Sequence, residues 1–214
     1  MDIWFLIGSL LTAYFLGSIP TAVWYGEAYF GIDVRKFGSG NAGATNTFRV
    51  LGKRAGTIVL LIDVLKGWTS TMLAVILYSL KVIELNDVLI FKLLLGVMAV
   101  VGHLYPIFTK FKGGKGVATS LGMVLAIQPD VAAVCIAVFM LVLLISNYVS
   151  LSSILASLTF PILLVLGVFG QASTLLIGFG FLVFIVVTLK HYQNIGRIIK
   201  GTEGRVNLFG KKKS

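Results

Sequence analysis

Long apolar runs separated by short polar connections dominate this chain of 214 residues. The runs can be drawn at residues 3–25, 55–79, 88–107, 113–129, 131–147, 152–169 and 173–190. Most of them are close to the ~20 residues that an α-helix needs to cross the hydrocarbon core of a bilayer. The pattern therefore predicts an all-α integral membrane protein with seven transmembrane helices.

The fourth run is the weakest of the seven, because residues 117–127 alone are too short to span a bilayer. If this run only dipped into the membrane and returned, six spans would remain. The basic tail would then lie on the side opposite to the other basic connections. We therefore expect seven spans, the fourth beginning within residues 113–116 and ending at Pro129.

Composition agrees with a membrane protein, since 57% of the residues are hydrophobic, 12% are charged and the mean hydropathy is +0.99. No half of the chain looks soluble, so a single membrane domain over residues 1–214 is expected. The first run lacks a basic leader and a small-residue cleavage site, and we expect it to be retained. Cys135 is the only cysteine, which excludes a disulfide framework and a cysteine-based metal site. Neither a metal nor a cofactor is expected.

The net charge of +10 is unevenly distributed, because the basic residues cluster in the first connection, the third connection and the tail. These clusters comprise Arg35, Lys36, Arg49, Lys53 and Arg54, then Lys110, Lys112 and Lys115, and finally Lys190, Arg197, Lys200, Arg205 and Lys211 to Lys213. Asp2, Glu84, Asp87 and Asp130 occupy the N-terminus and the other connections. The positive-inside rule then predicts an outside N-terminus and a cytoplasmic C-terminus, with the final lysines attracted to anionic lipid headgroups.

A polar, glycine-rich stretch at residues 38–49 departs most clearly from the apolar pattern. Gly38, Gly40 and Gly43 permit positive φ angles and close approach of a ligand to the backbone. Successive N–H groups in such a loop can form an anion-binding nest, helped by a helix that begins at Thr45 or Asn46. The stretch therefore predicts a phosphate site.

Arg49 could add a bidentate hold on a phosphate. The alternative is a flexible loop whose arginine only sets the membrane topology. The Ser-Gly-Asn and Ala-Thr-Asn runs, at residues 39–41 and 44–46, favour a ligand.

The third connection repeats this chemistry, with Gly113, Gly114 and Gly116 around Lys115 at the expected start of a helix. The arrangement resembles a phosphate cradle. It is not a Walker A loop, because glycine follows the lysine and Thr109 stands where the first glycine would be. A nucleoside triphosphatase is therefore excluded.

The tail places His191, Asn194 and Arg197 at spacings of three residues, which predicts one shared helix face. We expect His191 to contact a ligand or transfer a proton. His103, close to Pro106, is expected to make a structural hydrogen bond.

Asp63 and Lys66 lie one turn apart, deep within the second run. Ionisable groups inside a membrane are costly and often functional, but a mutually neutralising structural pair is an equal alternative. Pro20 is expected to break the first run near its cytoplasmic end.

Several motifs, in one order along essentially the whole chain, resemble a known bacterial family. They are Gly-Ser-Ile-Pro at 17–20, Ser-Gly-Asn-Ala-Gly-Ala-Thr-Asn at 39–46 with Arg49, Asp-Val-Leu-Lys-Gly at 63–67, Gly102-His103 with Pro106, Phe-Lys-Gly-Gly-Lys-Gly-Val-Ala-Thr at 111–119, and His191 with Asn194, Arg197, Gly201 and Glu203. The sequence resembles the acyl-phosphate:glycerol-3-phosphate acyltransferases of the PlsY type.

The resemblance implies a seven-span enzyme of the bacterial inner membrane whose site faces the cytoplasm. It would move a fatty acyl group from acyl phosphate to the sn-1 hydroxyl of glycerol 3-phosphate, giving lysophosphatidic acid and phosphate. The implied partners are glycerol 3-phosphate, fatty acyl phosphate and membrane lipid, with the soluble enzyme that makes acyl phosphate as a further candidate. No nucleic acid is expected.

Chemistry and resemblance together give three groups of candidate residues. The catalytic candidates are His191, Lys115, Ser39 and Asn194. The substrate-binding candidates are Gly40, Asn41, Gly43, Thr45, Asn46, Arg49, Gly113, Gly114, Gly116 and Arg197. The supporting candidates are Asp63, Lys66, His103 and Glu203. The substrate hydroxyl would lose its proton to His191 or to a phosphate oxygen, and both remain open.

Other functions have weaker support. A covalent acyl-serine route is disfavoured, because no serine has an evident histidine and acid partner. Acyltransferases that use histidine, four residues and aspartate are excluded, since Phe108 and Gly196 stand where the acid would be. A transporter of phosphorylated metabolites would place its polar groups near the midplane of the bilayer. Here the motifs lie at the predicted cytoplasmic ends of the apolar runs, and only Asp63 and Lys66 are expected to lie deep. A headgroup-binding scaffold would not need the hydroxyl and amide groups of the first loop.

Overall fold

The computed structural model describes residues 3–206, so Asp2 and the predicted lipid-attracted end Lys211 to Lys213 lie outside the described residues. Within this range the protein is helical and contains no β-strand, apart from one isolated bridge between Val168 and Gly170. The prediction of an all-α fold is confirmed.

The chain forms two compact units, with the boundary in sequence between Pro129 and Asp130. The helices that begin before this boundary are α1 Ile3–Ser18, α2 Thr21–Phe30, α3 Ala44–Leu51, α4 Lys53–Ser79, α5 Val88–Leu104, α6 Val117–Ile127 and α7 Pro129–Ser146. The remaining described helices are α8 Val149–Val165, α9 Thr174–Lys190 and α10 Tyr192–Ile199.

Three segments are long and apolar enough to cross a membrane: Lys53–Ser79, Leu85–Thr109 and Pro129–Ser146. Two bent helix pairs, α1 with α2 and α9 with α10, raise the number among the described residues to five if each pair is one span. The protein is therefore a multi-pass membrane protein, while the seven-span count and the orientation stay predictions. The fourth run forms a helix only over Val117–Ile127, later than the predicted start at 113–116 and about 16 Å long.

The first run is broken at Pro20, as predicted. Ile19 and Pro20 lie outside both helices, and α1 and α2 meet at an angle of 43°. Proline has no N–H to donate and clashes with the preceding turn, so a continuous helix cannot pass through this position. The break exposes polar backbone inside the protein body, where it needs partners.

Backbone-to-backbone packing joins α4 and α6 in the first unit. A Cβ atom added to Gly67 would overlap the carbonyl oxygen of Thr119, and one added to Gly122 would overlap that of Val64. Small residues at both positions let the two helices approach closely, as is typical of membrane helix pairs. The contact fixes the start of α6, and therefore the loop before it, against α4.

In the second unit, α8 packs against α9, and the short helix α10 contacts both. The chain turns by 59° between α9 and α10. His191 occupies this turn.

Candidate active site

The first glycine-rich loop uses its glycines at two positions of left-handed backbone. Gly38 has φ +60° and Gly40 has φ +73°, a region that other residues rarely adopt. Gly43 is extended, with φ −135°, and precedes α3. The helix begins at Ala44, one residue before the predicted start. The N–H groups of its first turn face back toward the loop, the arrangement of helix N-termini that bind anions.

The side chain of Asn46 organises this loop from inside. Its Oδ1 atom accepts hydrogen bonds from the backbone N–H of Ser39 at 2.8 Å and from the Ser39 hydroxyl at 3.1 Å. Its Nδ2 atom donates to the carbonyls of Val34 and Phe37 at 2.8 and 3.1 Å. Because Asn46 is only 1% exposed, the structure gives it a role in shaping the loop. Its direct contact with a substrate stays a prediction.

The other candidates of this loop remain accessible. Ser39, Gly40, Thr45 and Arg49 are exposed, whereas Asn41 and Gly43 are half-buried. The hydroxyl of Ser39 donates to Asn46, which leaves its oxygen lone pairs as acceptors and fixes its position. The loop therefore presents hydroxyl, amide and guanidinium groups together, as the sequence predicts.

The second glycine-rich loop, Gly113–Gly116, leads directly into α6. Gly116 has φ +81° and ends the loop in left-handed backbone. The N–H of Gly114 donates to the carbonyl of His103 at 3.2 Å. A Cβ atom on Gly113 would overlap that same carbonyl, so the loop needs glycine for this close approach. Lys115 is half-buried.

The two loops meet at one small pocket of the first unit. Its lining comprises Gly17, Ile19, Pro20, Thr21, Ala42, Lys66, His103, Pro106, Gly113 and Gly114. Ala42 belongs to the first loop, and Gly113 and Gly114 belong to the second. The structure thus brings together the two segments that the sequence assigns to phosphate binding.

Beside this pocket lies a buried ionic cluster. Lys66 Nζ is 2.8 Å from Asp63 Oδ1, and the two side chains are 4% and 2% exposed. Thr21 donates to Asp63 at 3.2 Å, and Lys66 donates to the carbonyl of Ile19 at 3.0 Å. His103 Nδ1 lies 3.7 Å from Asp63 Oδ1. The sequence pattern did not point to Thr21, whose hydroxyl follows the proline break directly.

The tail residues occupy a different arrangement from the predicted single helix face. His191 sits at the turn between α9 and α10 and is 3% exposed, while only Asn194 and Arg197 lie on α10. His191 Nδ1 is 2.8 Å from the carbonyl oxygen of Val187. A carbonyl only accepts, so Nδ1 carries a proton and points back along α9. His191 is thus the N-cap residue of α10, where the chain bends, and only Asn194 and Arg197 lie within the helix itself.

Glu203 gathers the polar side chains of the second unit. Its Oε1 accepts from the Asn194 amide at 2.5 Å and from the Ser150 hydroxyl at 2.9 Å. Its Oε2 accepts from Arg197 Nε at 2.7 Å. Ser150 was missed in the sequence, although serines at 150, 152 and 153 interrupt an otherwise apolar run. These contacts tie the end of α10 to α8, and a supporting role of Glu203 in the site stays a prediction.

The Glu203 cluster predicts a loss of stability in acid. Burial raises the pKa of the carboxyl, but hydrogen bonds from Arg197, Asn194 and Ser150 outweigh it and hold the pKa below the ordinary 4.5. A group with a lowered folded pKa contributes stability above its unfolded pKa and loses it as the pH falls through the folded pKa. We therefore expect the melting temperature in detergent to fall more steeply below pH 4.5 for the unaltered protein than for Glu203→Gln. Parallel pH curves would contradict this.

Ser39, Arg49 and Lys115 lie in the first unit, and His191 and Asn194 in the second. Their meeting in one site stays a prediction.

These features define a class of protein: a multi-pass helical membrane protein with two glycine-rich polar loops at one pocket. Comparison with known sequences makes the assignment specific, since the sequence profile of the glycerol-3-phosphate acyltransferases matches residues 7–201. The chain belongs to the glycerol-3-phosphate acyltransferase family.

Curated relatives support the same assignment over nearly the full length. The glycerol-3-phosphate acyltransferase of Salinibacter ruber is 43% identical and matches 96% of this chain and 94% of its own. That of Bacillus cytotoxicus is 44% identical and matches 95% of this chain and 96% of its own.

Two solved structures of PlsY, an integral membrane glycerol 3-phosphate acyltransferase, have the same fold. The glycerol 3-phosphate form is 34% identical with a TM-score of 0.80, covering 95% of this chain and 98% of the other. The lysophosphatidic acid form is 33% identical with a TM-score of 0.77, covering 94% and 95%.

Proposed function

We propose that this protein transfers a fatty acyl group from acyl phosphate to the sn-1 hydroxyl of glycerol 3-phosphate, giving lysophosphatidic acid and inorganic phosphate. The observation that carries the proposal is the full-length match to a fold solved with glycerol 3-phosphate and in a lysophosphatidic acid form. The acyl-phosphate donor rests on the motif resemblance and on the presence of two phosphate-suited loops at one pocket.

The reaction needs orientation and charge stabilisation more than a strong nucleophile. The sn-1 oxygen forms an ester bond to the carbonyl carbon of the acyl phosphate, and the bond from that carbon to the bridging phosphate oxygen breaks. Phosphate is a good leaving group, so fixed donors around the developing oxyanion can supply most of the acceleration.

Polar side chains of the first loop and the second-loop lysine suit this task. Asn41, Thr45 and Arg49 would hold phosphate oxygens, with the N–H groups at the start of α3. The Ser39 hydroxyl would join them by turning its hydrogen from Asn46 to a phosphate oxygen. Lys115 would neutralise the developing oxyanion or the leaving phosphate. His191 and Asn194 would complete the phosphate contacts from the second unit.

The proton of the substrate hydroxyl has two candidate acceptors. In a neutral His191 ring, Nδ1 carries a proton and donates to Val187, so Nε2 is the nitrogen that would accept. A phosphate oxygen of the bound substrates would serve equally, and the two routes differ in their dependence on His191.

The membrane arrangement belongs to the same proposal. We place the N-terminus outside, seven spans in the bacterial inner membrane, and both loops on the cytoplasmic side with the basic connections. Both glycine-rich loops lie in basic connections, so this orientation would give the site access to soluble metabolites such as glycerol 3-phosphate.

An assay with purified protein tests the proposal directly. Protein in detergent receives palmitoyl phosphate and labelled glycerol 3-phosphate, and we expect labelled lysophosphatidic acid. Product that requires acyl-CoA in place of acyl phosphate would overturn the donor assignment, and no product with either donor would overturn the enzyme proposal.

In the same assay, a wild-type rate for His191→Ala would assign the proton to a phosphate oxygen.

A further inference from the structure

The buried ion pair on α4 has more partners than mutual neutralisation requires. Asp63 and Lys66 compensate each other at 2.8 Å. Thr21 adds a hydrogen bond to Asp63, and Lys66 adds one to the carbonyl of Ile19. Both additional partners flank Pro20, so the pair ties α4 to the break between α1 and α2.

The cluster also reaches the second glycine-rich loop through His103. One ring nitrogen, Nδ1, lies 3.7 Å from Asp63 Oδ1. The other, Nε2, packs against the loop, since a Cβ atom on Gly114 would overlap it. The His103 carbonyl in turn accepts the N–H of Gly114 at 3.2 Å. The backbone beside Lys115 therefore rests on a histidine whose other ring nitrogen lies close to the ion pair.

A second contact links the same part of α4 to the start of α6. Gly67, the residue after Lys66, packs against the Thr119 carbonyl with no room for a Cβ atom. The loop Gly113–Gly116 is thus held at its beginning by His103 and at its end by the α4–α6 contact. Lys66 and His103 also line the pocket where both loops meet.

We infer that Asp63 and Lys66 are positioning residues for acyl transfer, which act through His103 to set the Gly113–Gly114 backbone and so the place of Lys115. The inference rests on the proposed function. A pair that only neutralises charge would need neither the contacts beside Pro20 nor the contact with His103. In this role the two side chains act on the loop backbone and not on the reacting atoms, so their effect is indirect.

The expected kinetic signature follows from that indirect role. A misplacement of about 1 Å in catalytic groups can cost roughly 10²-fold in rate. If Lys115 stabilises charge that develops in the transition state, its displacement lowers kcat and leaves KM for glycerol 3-phosphate nearly unchanged.

The test replaces both charges together. Asp63→Asn with Lys66→Met leaves no unpaired buried charge, and such neutral replacements are often tolerated by the fold. We expect this double variant to melt near the wild-type temperature, with kcat lowered at least tenfold and KM changed less than threefold. The single variant Lys66→Arg keeps the charge and the hydrogen-bond donors, and we expect its kcat to lie between those of the double variant and the wild type.

A matched control comes from another lysine of the same unit. Lys92 on α5 donates to the Ala126 carbonyl at 2.9 Å and lies eleven positions before His103, about 16 Å along the helix. Lys92→Met should keep the wild-type kcat. If the double variant does not fold, Thr21→Val takes its place, because it removes one hydrogen bond to Asp63 and no charge. We then expect the same pattern, a lowered kcat with a nearly unchanged KM.

Four outcomes decide the matter. A folded double variant with kcat within twofold of wild type would overturn the inference and leave the proposed function intact. The same holds if Thr21→Val, used in its place, keeps wild-type kcat. If the double variant and Lys92→Met lose kcat equally, the effect is one of general packing, and the inference is also overturned. Absence of product from the unaltered protein would instead reject the proposed function.

Discussion

Lys115→Ala is expected to lower kcat for lysophosphatidic acid formation by about 10²–10³, the usual cost of removing one donor to a developing oxyanion. The lysine is half-buried between Gly114 and Gly116, at the start of α6 and next to the pocket shared by both loops. Its charge is worth more there than in water, because partial burial lowers the local dielectric. Initial rates at saturating concentrations of both substrates measure the effect.

Lys112→Ala is the matched control, since Lys112 lies three residues earlier in the same connection and is exposed. Exposed charges are largely screened, so this variant should keep kcat within about twofold. Equal losses in the two variants would mean that the connection contributes only general positive potential. A wild-type rate in Lys115→Ala would remove this lysine from the catalytic group.

Gly67→Ala is expected to destabilise the first unit by about 1–3 kcal/mol, because the new methyl group cannot fit without moving α6 away from α4. The nearest atom is the backbone carbonyl oxygen of Thr119, which cannot rotate aside like a side chain. Thermal unfolding in detergent measures the loss. Activity should fall with it, since the Lys115 loop is anchored to the same helix.

Gly8→Ala provides the comparison, because Gly8 also lies in a helix but has nothing within 4 Å of an added Cβ atom. There alanine should leave stability unchanged or raise it by about 0.5–1 kcal/mol through helix propensity. Equal destabilisation by both substitutions would show that helix flexibility, not the α4–α6 contact, requires glycine.

The apolar periodicity and the motifs predicted much of what the structure shows. The helical class, the break at Pro20 and the helix that follows Gly43 are all present. Each depends on local properties: apolar length, a missing N–H, or a turn residue beside a helix start. The glycine-rich loops could likewise be recognised from composition, because few other roles require glycine, hydroxyl and amide groups so closely spaced.

Long-range contacts were harder to predict. Regular spacing suggested that His191 continues the face of Asn194, but the bend of 59° depends on how α10 packs against α8 and α9. Ser150 could not be paired with Glu203 from sequence, since 53 positions separate them. The sequence predicts that Asn46 binds substrate but does not reveal that its amide oxygen and nitrogen both bond to neighbouring backbone.

The break between α1 and α2 has a consequence for the order in which this protein assembles. The carbonyl of Ile19 and the hydroxyl of Thr21 find their partners 47 and 42 positions later, on α4. During synthesis the first helix pair therefore emerges with polar groups that no earlier residue satisfies in this way. The bend at Pro20 can form at once, but the Ile19 carbonyl and the Thr21 hydroxyl gain these side-chain partners only after α4 has been translated and inserted beside them.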